Sequence, residues 1–281
     1  MEKFVHIAGR TIRLISNELP LRLGGLLAAF AIDTPDSWDR EVCFSPVEKL
    51  PAPTGICLYR EPALLVYQKG EEETRYIGSV EPNAQEGYLR LSRREEKIFA
   101  QVKRDSAGSA IGTKLILEAM ETEHFLVKDG GLILHASCVE HQGEAIVFTA
   151  PSGTGKSTQA ELWKNCRSAR IINGDRIALR IGDRGVEARG IPFAGSSNIA
   201  EPVCLPLRAI VCLAQAPQTT IDRLSGAKAF RLLWEGVSVN IWNRDDVAQC
   251  SQTVARVVQQ VPIWLLACTP DESAVRALEN V

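Results

Sequence analysis

The chain is 281 residues long, 45% hydrophobic and 23% charged, with a formal net charge of −2 at pH 7. That is the composition of a soluble globular protein with room for two modest domains or one large one. Near-neutral charge gives no electrostatic case for a nucleic-acid partner, and the longest apolar run, residues 23–32, is too short for a membrane span and is interrupted at Gly24-Gly25.

Residues 1–107 read as a β-rich, irregular region. Strands are expected at 5–8, 11–15, 54–59 and 63–67, separated by Pro46, Pro51, Pro53 and Pro62. Residues 89–92 alternate apolar and polar, and the apolar run 98–102 is expected to pair with them. The segment Asp105-Ser106-Ala107-Gly108 marks a domain boundary. A helix is predicted over 109–127, with Ile111, Leu115, Ala119 and Leu126 near one face and Asp129-Gly130-Gly131 as its stop. Residues 132–139 and 144–149 read as strands joined by a short turn, which predicts an antiparallel hairpin. A helix over 155–166 follows, then strands at 169–175 and 176–181, a turn at 182–185 and a strand at 209–214. Helices at 228–234 and 246–260, a strand at 262–268 and a short helix over 271–280 complete the chain. The expected organisation is therefore a β-rich region, 1–107, and an α/β nucleotide-binding domain, 108–281.

The run Ala150-Pro151-Ser152-Gly153-Thr154-Gly155-Lys156-Ser157-Thr158 matches a phosphate-binding loop, with Ala150 in place of the first glycine. Ser152, Gly153, Thr154, Gly155, Lys156, Ser157 and Thr158 are its candidate nucleotide-binding residues. Gly153 and Gly155 let successive backbone N–H groups turn inward toward phosphate oxygens. Lys156 can reach the β- and γ-phosphates, the Ser157 hydroxyl can ligate Mg²⁺, and the following helix adds its positive N-terminal dipole. The predicted strand, loop and helix come in the order that this chemistry needs.

Phosphoryl transfer also needs an acid to hold a metal and a group to deprotonate the acceptor. Asp175 is the leading candidate, at the end of the first strand after the loop helix. Glu187, one hairpin further on, is a second candidate for the metal. His135 lies on the strand paired to the loop strand and joins Asp175 and Lys156 as a candidate catalytic residue. Arg176 and Arg189 are candidate charge stabilisers, and 195–198 is a flexible polar segment that reads as an ordinary loop or, alternatively, as a substrate clamp. Eight cysteines without C-x-x-C spacing read as buried thiols of a reducing, cytoplasmic compartment, and the four histidines show no zinc-ligand spacing.

Leu134-His135-Ala136-Ser137, the short turn, the loop Ser152–Ser157 and Gly174-Asp175-Arg176 resemble, in order and approximate spacing, the catalytic domain of HPr serine kinase/phosphorylases. Glu187-Ala188-Arg189-Gly190-Ile191 is similar to a further segment of that family, and the loop resembles that of the related phosphoenolpyruvate carboxykinases. The resemblance covers roughly residues 130–270, and it is closest to the stand-alone HPr-kinase-like proteins associated with peptide modification. It implies a phosphate-loop core of mixed β-sheet with flanking helices, use of ATP and Mg²⁺, and transfer to serine or threonine of a peptide or protein, such as a ribosomal natural-product precursor. The chain departs from the family in having Gly174-Asp175-Arg176 where HPr kinases have Asp-Asp-Arg, and Pro192-Phe193-Ala194-Gly195 where they continue Gly-Ile-Ile-Asn. A small-alcohol kinase and a nucleotide-binding accessory protein with little catalysis are the alternatives. No membrane or nucleic-acid partner is expected, and a homo-oligomer is left open.

Overall fold

The computed structural model describes residues 1–78 and 87–279. They form two compact units, Met1–Glu121 and Thr122–Val281.

The first unit is built on one nine-stranded sheet. Its strands are β1 (Glu2–Ile7), β2 (Arg10–Ser16), β3 (Ala31–Ile32), β4 (Arg40–Val47), β5 (Ile56–Glu61), β6 (Leu64–Lys69), β7 (Glu72–Ile77), β8 (Leu89–Arg94) and β9 (Lys97–Lys103), in the order β3-β1-β2-β4-β9-β8-β7-β6-β5. β8 and β9 pair with each other, as the sequence predicts, and they run antiparallel. The apolar run at 23–32 forms a 3₁₀ turn, Gly25–Phe30, that buries Leu27 and Phe30 and leads into β3. Helices α1 (Arg104–Ala107) and α2 (Thr113–Ala119) belong to this unit, whereas the sequence boundary at 107 precedes α2.

The helix expected over 109–127 is two helices, α2 and α3 (Thr122–Lys128). The break falls at Glu121, whose φ of 48° no helix accommodates. Its buried carboxylate lies 3.1 Å from Arg75 and 2.5 Å from Arg93, so an ion-pair network overrides the local periodicity.

The second unit is α/β, with mixed sheets and few helices. After α3 come β10 (Gly131–His141), β11 (Glu144–Thr149), α4 (Lys156–Arg167), β12 (Arg170–Asn173), β13 (Arg176–Gly182), β14 (Gly185–Gly190) and β15 (Cys204–Gln215). β16 (Thr220–Leu224), α5 (Gly226–Trp234), β17 (Val237–Ser238), α6 (Arg244–Gln260), β18 (Ile263–Cys268) and α7 (Glu272–Glu279) complete it. The last residue of the expected closing helix, Asn280, lies outside the described residues.

β10 and β15 are long, and each serves two neighbourhoods. The first half of β10 pairs with β13 and β17, and its second half with β11 and β12. β15 begins beside β14 and continues parallel to both β11 and β18. The β10–β11 hairpin has the antiparallel pairing expected from sequence, with Cys138 opposite Val147.

β11 shows why its sequence is an unbroken apolar run. Ala145 and Val147 pack into a core with Leu233, Val254 and Val257 of α5 and α6. Ile146 and Phe148 point the other way, against Ala160 and Trp163 of α4 and Val275 of α7. A strand covered on both faces needs apolar residues at every position. β11, β15 and β18 run parallel, so the loops at their carboxyl ends gather at one edge of the sheet, where α/β proteins bind ligands. Among the described residues no helix is long and apolar enough to cross a membrane.

Candidate active site

β11 ends at Thr149 and α4 begins at Lys156, so residues 150–155 form the connection. Gly153 (φ 79°) and Gly155 (φ 122°) occupy backbone regions that L side chains rarely adopt. The Thr154 N–H closes a turn onto the Pro151 carbonyl at 3.3 Å. Ser152, Gly153, Ser157 and Thr158 are exposed, Thr154 and Gly155 are half-buried, and Lys156 is buried. The Ser137 hydroxyl donates to the Lys156 carbonyl at 2.7 Å, tying the start of α4 to β10.

The Lys156 side chain folds back over the loop. Its Nζ donates to the carbonyls of Ala150 (3.0 Å) and Pro151 (3.4 Å). Burial pushes its pKa below the ordinary lysine value, and the nearby Asp175 carboxylate partly opposes that shift. A buried ammonium bonded to neutral carbonyls and facing one carboxylate is a cation with capacity for an anion.

Asp175 is held by a frame that the sequence does not announce. Asn173, fully buried at the end of β12, accepts from the N–H groups of Asp175 and Arg176, both at 2.9 Å. Its own amide donates to the Ile191 carbonyl at 2.9 Å. The Asp175 carbonyl accepts from the Ala136 N–H at 2.8 Å. The strand expected over 169–175 therefore stops at Asn173, because that side chain turns the backbone and fixes Asp175 outside the ladder.

His135 joins this frame to the loop. Its Nε2 lies 3.1 Å from Asp175 Oδ1, and its carbonyl accepts from the Thr149 hydroxyl at 3.0 Å. Arg176 Nε is 3.6 Å from Asp175 Oδ2, and Arg176 also reaches Glu123 (3.7 Å) and lies over the Phe193 ring. Gly195 packs directly on the acid, since a Cβ there would sit 2.8 Å from Asp175 Cγ. The segment 195–198, read from sequence as a loop or a substrate clamp, contains a 3₁₀ turn at Gly195–Ser197 that walls this acid. A Cβ on Gly174 would meet Ser197 Oγ at 2.1 Å, so a second carboxylate beside Asp175 does not fit this turn.

The structure thus brings Lys156, Asp175 and His135 together, and it does not bring Glu187 to them. Glu187 pairs with Arg180 across the β13–β14 hairpin, whereas the Asp175 end pairs Ile177 with Gly190. The intervening residues put Glu187 roughly 10 Å further along the strand. Burial pushes the Glu187 carboxyl up, but Arg189 at 2.7 Å, together with Cys204 and Arg180, holds the pKa below the usual value. Glu187, expected as a metal ligand, and Arg189, expected as a charge stabiliser, pair with each other there. Among the described residues no group of three or more His, Cys, Asp or Glu side chains could hold a metal ion.

No protein-family model matches the chain, and no curated protein matches it. Among solved structures, the HPr(Ser) kinase/phosphatase from Coxiella burnetii is similar over 53% of this chain and 88% of its own, at 11% identity and a TM-score of 0.30. A likeness that faint bears on neither the activity nor the residues of this chain.

Proposed function

We propose that the second unit is an ATP-dependent phosphotransferase acting on a serine or threonine hydroxyl of a peptide or protein. The observation that carries this reading is the pairing of a buried, carbonyl-bound Lys156 at the head of α4 with the Asp175–His135 pair. A phosphate loop and an acid are the two parts that phosphoryl transfer requires.

The triphosphate lies along residues 152–158, with Lys156 leaving its carbonyl partners for the β- and γ-phosphates. Asp175 accepts the proton of the attacking hydroxyl as the oxygen–phosphorus bond forms and ADP departs with the electrons of the broken bond. His135 orients Asp175 through the 3.1 Å contact. Mg²⁺ needs only one or two protein ligands when phosphates supply the rest, and the Ser157 hydroxyl and Asp175 are the residues that would hold it. When bound, the ion neutralises charge on the phosphates.

A single acid at position 175, with no room for a second at 174, favours one alternative, a nucleotide-binding accessory protein with little transfer. Labelled ATP incubated with the chain and a panel of serine- and threonine-containing peptides separates the readings. The proposal expects label on hydroxyl-bearing peptides and weak labelling of free serine. Tight ATP binding with no transfer to any peptide supports the accessory role. Equal labelling of free serine supports a small-alcohol kinase. The eight free cysteines fit a reducing, cytoplasmic setting.

A further inference from the structure

Beside the loop lies a cleft of ≈ 630 Å³ that the transfer chemistry does not use. It is bounded by Gly153–Gly155 on one side and by the connections after β15 and β18 on the other. Its volume falls in the range of small-molecule sites. Leu213, Ala216, Pro217 and Pro270 give it apolar walls suited to a flat ring.

Gln159 lines this cleft from the first turns of α4 and is only 3% exposed. Its Nε2 donates to Cys268 Sγ at 3.3 Å, which fixes the amide plane. Its Oε1 is buried, and among the described residues nothing donates to it. A buried amide oxygen without a donor costs free energy that a ligand can recover. Burial, reinforced by Asp271, holds the Cys268 pKa above its ordinary value, so the sulfur stays a neutral thiol beside Gln159.

Resting on the phosphate-loop reading above, we infer that this cleft takes the base of the nucleotide and that Gln159 Oε1 selects a base carrying an exocyclic amine. The cleft touches the loop glycines, so a nucleoside attached to a triphosphate in residues 152–158 enters it without crossing the acceptor side at Asp175. An amine on the ring donates to Oε1. A keto oxygen at the same place faces another acceptor and leaves Oε1 unpaired. Gln159 is a specificity-determining residue on this account and touches no reacting atom.

The experiment is calorimetric titration of the full chain with ATP, ITP and inorganic tripolyphosphate, in the presence of Mg²⁺. ITP differs from ATP in carrying a keto group where ATP carries the amine. The expected result is binding of all three, with ATP favoured over ITP by about tenfold, the worth of one hydrogen bond to a buried group. Gln159→Met keeps the length of the side chain and should bring ATP and ITP to equal affinity while leaving tripolyphosphate unchanged. Equal binding of ATP and ITP by the wild type, or preference for ITP, overturns the base assignment while tripolyphosphate binding upholds the phosphate loop. If tripolyphosphate and ATP both fail to bind, the phosphate loop fails and the base assignment falls with it. Should Gln159→Met not fold, Gln159→Glu at neutral pH serves instead. Its carboxylate still accepts from the amine, so a switch to ITP preference in that variant counts against the inference.

Discussion

Among the described residues the second unit contains two histidine–aspartate pairs, one sealed and one open. His124 on α3 contacts both carboxylate oxygens of Asp246 on α6 at 2.9 Å, and Asn240 donates to the same carboxylate at 3.0 Å. Their side chains are 5% and 3% exposed, sealed between two helices. His135 and Asp175 make one contact at 3.1 Å, and their side chains are 37% and 29% exposed. The first pair joins α3 to α6 and is inaccessible to a substrate. The second stands open beside the glycine loop, with its backbone fixed by Asn173 and its carboxylate within electrostatic reach of Lys156. The same two residue types thus hold a core in one place and stand open to solvent in the other.

The largest effect that sharpens this contrast is at Asp175. Asp175→Asn should lower phosphoryl transfer by roughly 10²–10⁴, the worth of a positioned acid or base, with ATP affinity within a few-fold and the melting temperature unchanged. Transfer at the wild-type rate would reduce Asp175 to a turn residue.

Asp246→Ala should do the converse. Leaving His124 and Asn240 without their acceptor costs about 1–3 kcal/mol of stability, read as a lower midpoint in urea, while turnover per folded molecule holds. Loss of turnover at full stability would mean that the buried pair serves the reaction.

His135→Gln comes next. Removing the contact that orients Asp175 should cost about tenfold in transfer, the scale of one hydrogen bond, with KM for ATP unmoved. The smallest effect is at Glu187, where the sequence alone suggests a metal ligand. Glu187→Gln should leave both transfer and its Mg²⁺ dependence as in the wild type, because Glu187 is engaged by Arg189 away from the acid. A shifted Mg²⁺ requirement in that variant would return Glu187 to the site.

The contrast between local and long-range signals also explains what could be read in advance. The β10–β11 hairpin, the loop and α4 are legible because short apolar runs, a tight turn and a glycine-lysine motif are neighbours in sequence. β7 escapes notice because Glu73 and Arg75 read as surface residues, yet both are buried and bonded to each other at 2.8 Å. β4 is hidden by Arg40 and Pro46, which occupy inward positions of an alternating strand that buries Val42 and Phe44. At the site, Asp175 and His135 are visible as residue types, but the frame that aims them is not. Asn173 reads as half of an Asn-Gly turn, and its three hydrogen bonds become apparent only when β12, Ile191 and the Asp175 backbone are brought together. The position of Glu187 is hidden for the same reason, since strand register decides which end of a hairpin a carboxylate occupies.

The central claim is that residues 152–158 hold a nucleotide triphosphate through Lys156, and the most direct measurement is ATP binding by calorimetry in the wild type and in Lys156→Met, each with a thermal melt. Burial depresses the Lys156 pKa in the folded chain, so its charged form costs stability at neutral pH and that cost fades as pH rises through the lowered value. Lys156→Met should therefore melt no lower than the wild type while losing ATP binding. Wild-type affinity should decline as pH climbs past the depressed lysine pKa, because the polyanion binds the charged form. Undiminished ATP binding by a folded Lys156→Met variant would contradict the account.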